Sequence, residues 1–233
     1  MPLSIVIPCF NERENIERFS EELFPTLESL KIPFEVIAVD DGSHDGTKEA
    51  LESFQNLKKI RLISHLSNRG LGAALKSGFL AAHGNWIVTL DCDLTFSPKD
   101  IARLLSCQKE TGADMVSGSP LIGEDNLCEI SWRRQIPSRI LNAFYRVFLG
   151  APFSSFTPIF RLYRTSALKT LDLKSDGFQI NAEIAAFFWI KKFKIVETPT
   201  PLSLRRLGKS KLNPLRELIR HAYLIGQLVK MNG

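Results

Sequence analysis

Residues 34–47, FEVIAVDDGSHDGT, decide the fold class of this chain. The run Phe34–Val39 has a strand-like composition that is nearly continuous in apolar character, and polar turn residues follow it directly. From Thr47 the pattern becomes helical and continues to Phe54. A strand of this kind is typical of a parallel sheet that helices cover on both faces. The stretch therefore predicts a strand–turn–helix unit of an α/β fold.

The same unit recurs along the first half of the chain. Three further apolar runs predict strands over Leu3–Ile7, Lys59–Ser64 and Trp86–Leu90. Helical patterns lie between and after the strands, over Asn15–Leu30, Thr47–Phe54, Leu71–Ala82 and Pro98–Glu110. Because strands and helices alternate, we expect right-handed crossovers and a doubly wound, mostly parallel sheet with flanking helices.

The second half is less regular. Its patterns predict helices over Ser131–Phe148 and Gln179–Lys191, and strands over Ile159–Arg164 and Lys194–Glu197. The last helix, Pro214–Met231, is amphipathic, with one apolar stripe formed by Leu215, Leu218, Ile219, Ala222, Ile225, Gly226 and Val229. We therefore divide the chain into one domain over 1–212, with halves 1–128 and 129–212, and a C-terminal amphipathic helix over 213–233.

The charge is divided unevenly between the two parts of the chain. The 233 residues carry a formal net charge of +5, but residues 1–128 hold 12 Lys/Arg against 19 Asp/Glu, a net of −7. Residues 129–233 hold 18 Lys/Arg against 6 Asp/Glu, a net of +12. Such asymmetry predicts that the second part meets an anionic partner, the alternative being a solvated basic face.

Composition also bounds the class of protein. A hydrophobic content of 44% and a charged content of 24% fit an ordinary globular protein. The four cysteines form no CxxC pair, which excludes a zinc ribbon and a disulfide scaffold and fits a reducing compartment. No apolar signal core precedes Glu12, and no run approaches the roughly 18 apolar residues of a membrane span. We expect a cytoplasmic protein.

Polar residues follow the predicted strands at their carboxyl ends, where open α/β sheets bind ligands. Asp91 and Asp93 follow the fourth strand, and two carboxylates at this spacing can hold one Mg²⁺ or Mn²⁺ ion, which prefers oxygen ligands. A turn capped by Asp93 is the structural alternative. The pair Asp40–Asp41 can hydrogen-bond a base or ribose, while Ser43 and Asp45 can cap the helix from Thr47.

The order of these motifs resembles the family-two GT-A glycosyltransferases. The motifs are Pro8-x-Phe10-Asn11-Glu12, Val39–Thr47, Asn68-x-Gly70 with Gly78, and Asp91-x-Asp93. The second half resembles the dolichyl- and polyprenyl-phosphate hexose (mannose) synthases, through Trp132–Arg139, Phe160–Arg164, Phe178-Gln179 with Glu183, and Arg205-x-x-Gly208-x-Ser210-Lys211-Leu212.

The resemblance implies metal-dependent, inverting transfer of a hexose from a nucleotide sugar, GDP-mannose or UDP-glucose, to a lipid phosphate. It assigns nucleotide-sugar binding to Pro8, Asn11, Glu12, Asp40, Asp41 and Lys211. It makes Asp91, Asp93 and Arg205 the catalytic residues, with both aspartates as Mg²⁺ or Mn²⁺ ligands, and it gives the acceptor phosphate to Arg134 and Ser138. Thr95, Arg161 and Glu183 are further candidates. An acceptor phosphate is already an anionic nucleophile, so catalysis would rest on positioning and charge stabilisation.

Three departures from the family pattern lie on the acceptor or metal side. Thr95 stands where the family often has Gln, Gly118-Ser119-Pro120 where it commonly has Gly-Ser-Arg, and Ser155–Arg161 lacks a carboxylate and a glycine. A saccharide or glycolipid acceptor, or a nucleotide-sugar-binding protein without activity, therefore stay open as alternatives. Glu183 can equally be a helix-surface carboxylate, and the basic residues around Arg205 a solvated run.

Arg216, Arg220, His221 and Lys230 lie off the apolar stripe of the last helix, a pattern also found in helices that lie on a membrane face. Nothing calls for nucleic acid.

Overall fold

The computed structural model describes residues 2–57, 59–122, 132–154, 156–205, 207 and 214–232, with only the backbone for 132–138, 214–215 and 229–232. The strands are β1 Leu3–Cys9, β2 Phe34–Asp40, β3 Arg61–Ser64, β4 Trp86–Thr89, β5 Met115–Ser119, β6 Arg161–Arg164 and β7 Ile195–Pro199. The helices are α1 Arg13–Ile16, α2 Phe24–Ser29, α3 Thr47–Asn56, α4 Leu71–Ala81, α5 Ile101–Thr111, α6 Trp132–Leu149, α7 Thr165–Leu168, α8 Ile180–Ile190 and α9 Pro214–Asn232. A π-helical turn, Phe19–Leu23, joins α1 to α2, and a 3₁₀ turn, Pro98–Asp100, leads into α5.

The strands form one sheet in the order β3-β2-β1-β4-β6-β5-β7. Strands β1 to β4 run parallel, and β6 runs antiparallel to both of its neighbours, β4 and β5. The last pair, β5 and β7, is parallel again. The α/β class and the mostly parallel, doubly wound sheet are therefore confirmed.

Register brings the polar strand ends together. Cys9 at the end of β1 pairs with Asp40 at the end of β2, and Val6 pairs with Thr89 at the end of β4. Alternate residues of β1 enter the two cores on opposite faces of the sheet: Ile5 and Ile7 pack on one side, Val6 on the other. With helices on both faces, the residues that follow these strands are left at a single edge of the sheet.

The sequence analysis missed strand β5. Its residues, MVSGS, are all buried, but Ser and Gly gave no apolar run to detect. The structure supplies the reason for the small residues, because a Cβ on Gly118 would lie 2.6 Å from the ring of Phe160. Small residues therefore let β5 pass close to the chain beside it.

The last helix packs through a different face from the predicted apolar stripe. Among its described side chains, Glu217, His221, Leu224 and Leu228 are buried, whereas Leu218 and Ile219 of the stripe are 62% and 64% exposed. Polar contacts fix this orientation, because the Tyr145 hydroxyl lies 2.8 Å from Nδ1 of His221 on α9. In the described part of the chain, no helix is long and apolar enough to cross a membrane.

Candidate functional site

The ends of β1, β2 and β4 open into a cavity of about 420 Å³. Pro8 and Glu12 line it after β1, Asp41 after β2, and Asp91 and Asp93 after β4. Residues from later in the chain close it, namely Gly177, Phe178, Arg205, Arg216, Glu217 and Arg220. The cavity therefore joins the acidic first part of the chain to the basic second part.

The floor of the cavity is a crowded group of carboxylates. Desolvation and the neighbouring carboxylate of Asp93 raise the pKa of Asp91 well above its usual value. Cys92 lies between the two aspartates, and burial raises the pKa of its thiol as well. Such crowding is typical of a site where a cation or a cationic ligand completes the charge balance.

Arg205 supplies a positive charge to this floor. Its Nε lies 3.2 Å from Oδ2 of Asp93, and its Nη2 contacts Oε1 of Glu12. Although burial alone would lower the pKa of this guanidinium, the hydrogen bond with Glu12 and the charges of Asp93 and Asp91 raise it. Arg205 thus stays charged and bridges the ends of β1 and β4.

The two carboxylate oxygens of Asp93 have different surroundings. Its Oδ1 accepts a hydrogen bond of 3.0 Å from the backbone N–H of Thr95, while its Oδ2 faces Arg205. The cap of the following helical turn is instead Ser97, whose hydroxyl accepts from the N–H of Lys99 at 3.3 Å. One oxygen of Asp93 therefore shapes the turn and the other faces the cavity.

The donor set of this floor fits a hard divalent cation that is shared with a substrate. Among the residues that the structure describes, no group of three or more His, Cys, Asp or Glu side chains can hold a metal ion alone. Mg²⁺ is commonly bound by one or two carboxylates together with water and substrate phosphates. Asp91 and Asp93 match that requirement, because a cation would offset both the desolvation and the repulsion from Asp93 that raise the pKa of Asp91.

Asn11 and Glu12 join the loops that follow β1 and β2. The N–H of Asn11 donates to Oγ of Ser43 at 2.9 Å, and its side-chain oxygen accepts from the N–H of His44 at 2.9 Å. The N–H of Glu12 donates to Oγ1 of Thr47 at 2.8 Å. These bonds hold the rim of the cavity in one arrangement.

Asp41 is the centre of a second buried network. Its carboxylate accepts from the N–H groups of Arg69 at 3.0 Å and Gly70 at 2.7 Å, and it lies 2.6 Å from Nδ1 of His65. Gly70 has a φ of +101°, and a Cβ there would lie 2.3 Å from the carbonyl oxygen of Asp176. Asp41 thus orders the loop before α4, while Oδ1 of Asp40 accepts from the N–H of Ser43 at 3.2 Å.

Two further candidates lie outside the cavity, buried in the second half. Arg161 is fully buried and donates to Oγ of Ser117 at 3.1 Å and to the carbonyl oxygens of Phe156 and Asn181 at 2.8 and 2.6 Å. Glu183 accepts from the N–H groups of Lys174 and Ser175, both at 2.9 Å. The surface alternative for Glu183 is therefore wrong, and both side chains hold backbone segments together.

Some predicted residues lie beyond what the structure describes. Arg134 and Ser138 belong to α6 by their backbone, but their side chains lie outside the described residues, as does the whole of Lys211. Asn11, Asp40 and Thr95 support the rim of the cavity without lining it. The roles assigned to these residues stay predictions.

Sequence reasoning did not place α9 in the site. Arg216, Glu217 and Arg220 line the cavity, and Nη1 of Arg220 lies 2.7 Å from Oε1 of Glu217. The available signal was the position of both arginines off the apolar stripe of the last helix.

The chain has clear relatives. The family model described as Glycosyl transferase family 2 matches residues 4–172. A dolichol-phosphate mannosyltransferase from Pyrococcus furiosus is 30% identical over 237 residues, covering 100% of this chain but 65% of the relative. A polyprenol monophosphomannose synthase from Mycolicibacterium smegmatis is 29% identical over 217 residues, covering 90% of this chain and 80% of the relative.

The fold also has solved counterparts. Glucosyl-3-phosphoglycerate synthase from Mycobacterium tuberculosis, crystallised with Mn²⁺, UDP-glucose and glycerol 3-phosphate, superposes with a TM-score of 0.71 at 19% identity. The match covers 98% of this chain and 78% of that one. This likeness confirms the fold that the sequence predicts.

Proposed function

Because this chain belongs to glycosyl transferase family 2, we propose that it transfers a hexose, mannose or glucose, from a nucleotide-diphosphate sugar to a polyprenyl or dolichyl phosphate. One observation carries the proposal: Glu12, Asp91, Asp93 and Arg205 meet in one cavity at the carboxyl ends of the strands. The names of the two curated relatives support a lipid phosphate as the acceptor.

Asp91 and Asp93 act on the side of the cavity that binds the nucleotide-sugar donor. They are the residues that would bind Mg²⁺ or Mn²⁺ together with the donor diphosphate. When bound, such an ion neutralises the charge that develops on a departing diphosphate. Glu12, held by Arg205 and by the amide of Asn15 at 2.6 Å, keeps the rim of the site in place.

Arg205 is suited to bind the donor diphosphate itself. A guanidinium forms paired hydrogen bonds with phosphate oxygens as well as with carboxylates. Its contacts with Glu12 and Asp93 hold it at the cavity floor before a donor arrives. Lys211, six residues further along the sequence, would add a second positive charge.

The acceptor requires no strong base. An oxygen of the acceptor phosphate attacks the anomeric carbon of the hexose, and the bond from that carbon to the donor diphosphate breaks. The nucleoside diphosphate leaves with the electron pair, and attack from the opposite side inverts the configuration. The protein positions the two substrates and stabilises the negative charge on the leaving diphosphate. We propose that this takes place in the cytoplasm, with the protein held peripherally at the membrane that contains the acceptor.

A panel of donors and acceptors tests this proposal. GDP-mannose and UDP-glucose are each incubated with a polyprenyl phosphate and Mg²⁺ or Mn²⁺, and the products are identified by mass. We expect one hexose to be added to the lipid phosphate, and Asp91→Asn and Asp93→Asn to lower the rate about 100-fold or more. The matched control is Asp172→Asn, because the Asp172 side chain is 80% exposed.

Three outcomes would contradict the proposal in different ways. Full activity in Asp91→Asn would refute the role of the cavity floor. Transfer to a saccharide or a neutral glycolipid in place of the lipid phosphate would refute the acceptor class. Binding of a nucleotide sugar with no transfer to any acceptor would identify a binding protein without activity.

A further inference from the structure

The turn that carries Asp91 and Asp93 has a strained backbone. Leu94, the residue after the pair, has a φ of +51°, a left-handed conformation that costs a leucine free energy. Leu94 is buried, and its N–H donates to the carbonyl oxygen of Asp91 at 3.1 Å. Because such a conformation persists only where the surrounding structure holds it, the turn needs contacts from outside itself.

Arg18 supplies one such contact from the segment between α1 and α2. Its Nη1 donates to the carbonyl oxygen of Asp93, which belongs to the same peptide group as the N–H of Leu94. Both ends of this peptide group are therefore held, the oxygen by Arg18 and the N–H by Asp91. Because the group lies inside the turn, its orientation sets the position of Asp93 relative to Asp91.

The Arg18 guanidinium is itself held on its other edge. Its Nε lies 2.9 Å from Oε1 of Glu22 and its Nη2 lies 3.3 Å from Oε2, a paired contact that fixes the plane of the guanidinium. The Arg18 side chain is only 11% exposed. Glu22 lies in the π-helical turn Phe19–Leu23, a rare geometry that is frequent at functional sites. One buried side chain thus joins the turn after β4 to the segment that follows β1.

Arg18 reaches the turn from outside the donor cavity. It lines a separate groove together with Glu22, Ser97 and Pro98, and Asp93 forms part of the wall of both. Among the described residues that line the donor cavity, Asp93 is present and Arg18 is not. Arg18 can therefore act on the aspartate pair without touching the donor or the acceptor.

We propose that Arg18 is a positioning residue for the reaction, which holds Asp91 and Asp93 in the arrangement that binds Mg²⁺ or Mn²⁺ together with the donor diphosphate. This inference rests on the proposed function and extends it to a residue outside the cavity. Removal of a group that orients metal ligands typically lowers metal affinity or activity about 10- to 100-fold.

The affinity for Mn²⁺ in matched variants tests this proposal. Arg18→Met removes the guanidinium and keeps an apolar side chain, whereas Arg18→Lys keeps the charge but has one nitrogen, which cannot contact Glu22 and Asp93 as the fork does. Arg13→Met is the control, because Arg13 forms the same pair with Glu17 at 2.9 Å, with side chains 43% and 76% exposed. Free Mn²⁺ is measured by electron paramagnetic resonance in the presence of GDP or UDP, at a temperature at which melting curves show each variant to be folded.

We expect the Kd for Mn²⁺ to rise about tenfold or more in Arg18→Met, to rise less in Arg18→Lys, and to stay within about twofold in Arg13→Met. At limiting Mn²⁺ the transfer rate of Arg18→Met should fall by a similar factor and recover as more Mn²⁺ is added. An unchanged Kd in Arg18→Met would overturn the proposal, and so would an equal increase in Arg13→Met.

Hydrogen exchange of the protein without metal or nucleotide separates this inference from the proposed function. The amide of Leu94 should exchange about tenfold faster or more in Arg18→Met, because the peptide group that carries it has lost a hydrogen bond from a charged donor, whereas the amides of β2 should not change. Unchanged exchange at Leu94 overturns the inference and leaves the proposed function intact. If the original protein binds Mn²⁺ through an Arg18-dependent site but transfers sugar to no acceptor, the inference stands and the proposed function fails. If the original protein binds no Mn²⁺ with either nucleotide, both are overturned.

Discussion

His221 makes the stability of the α9 contact depend on pH. The imidazole is 5% exposed, and burial lowers its pKa from 6.5 to about 4. Its Nδ1 lies 2.8 Å from the Tyr145 hydroxyl, and burial raises the pKa of that phenol, so both partners are neutral at pH 7. The folded protein therefore holds a neutral histidine where the unfolded chain would begin to bind a proton below about pH 6.5.

The sign and size of the effect follow from these two values. Between about pH 6.5 and pH 4 the unfolded state binds more protons at His221, so the free energy of unfolding falls as the pH is lowered through that window. Lowering the pH from 7.5 to 5 should remove about 2 kcal/mol from this residue alone, calculated from the two pKa values. Below about pH 4 the contribution levels off.

Urea denaturation at pH 7.5, 6.5, 5.5 and 5 measures this effect. Other groups titrate over the same range, so the quantity of interest is the difference between the original protein and His221→Gln, which has no proton to gain at that position. The original protein should lose about 2 kcal/mol more than His221→Gln between pH 7.5 and 5. Parallel loss of stability in the two proteins would refute a buried neutral histidine, and with it the orientation of α9.

Two further predictions concern buried positions of the fold. Arg161→Met should lower the free energy of unfolding by about 3 kcal/mol or more, because it leaves buried partners of a charged donor unsatisfied. Arg164→Met, on the same strand but 46% exposed, should change it by less than about 1 kcal/mol in the same urea titration. If Arg161→Met instead changes the KM for the acceptor and leaves the stability unchanged, Arg161 is a site residue, as the family resemblance suggests. Gly70→Ala should cost more than about 2 kcal/mol, because it combines a φ of +101° with a contact of 2.3 Å to the oxygen of Asp176. Gly226→Ala, on α9 with no atom within 4 Å of the added Cβ, should stabilise the helix by up to about 1 kcal/mol, and thermal melting compares the two variants. Equal melting temperatures for both would show that the loop before α4 tolerates a side chain.

The sequence predicted those parts of the fold that depend on local pattern. The apolar runs of β1, β2, β3 and β4 and the helices between them were confirmed, because covered parallel strands produce long apolar stretches. Strand β5 was missed because Phe160 requires Gly118, and a short strand of small residues has no such pattern.

The residues of the candidate site also differ in whether a local sequence pattern predicts their positions. The position of Asp91 and Asp93 at the edge of the sheet follows from the strand that precedes them, so sequence alone sufficed to bring them together. The nucleotide role of Asp41 stays a prediction, whereas the hydrogen bonds from Arg69 and Gly70 to its carboxylate could not be predicted from a local pattern. The approach of α9 depends on His221 meeting Tyr145 across 76 residues, and no local pattern contains that contact.

The place of β6 in the sheet determines when the sheet can be completed during synthesis of the chain. In the sheet formed by the described residues, β6 alone connects the parallel group β3-β2-β1-β4 to β5 and β7, although β6 is made after β5. Until Arg161–Arg164 emerges from the ribosome, the outer edge of β4 has no partner strand, and an unpaired edge is prone to aggregation. A nascent chain that stalls between β5 and β6 should therefore depend on chaperones more than one that stalls just after β6.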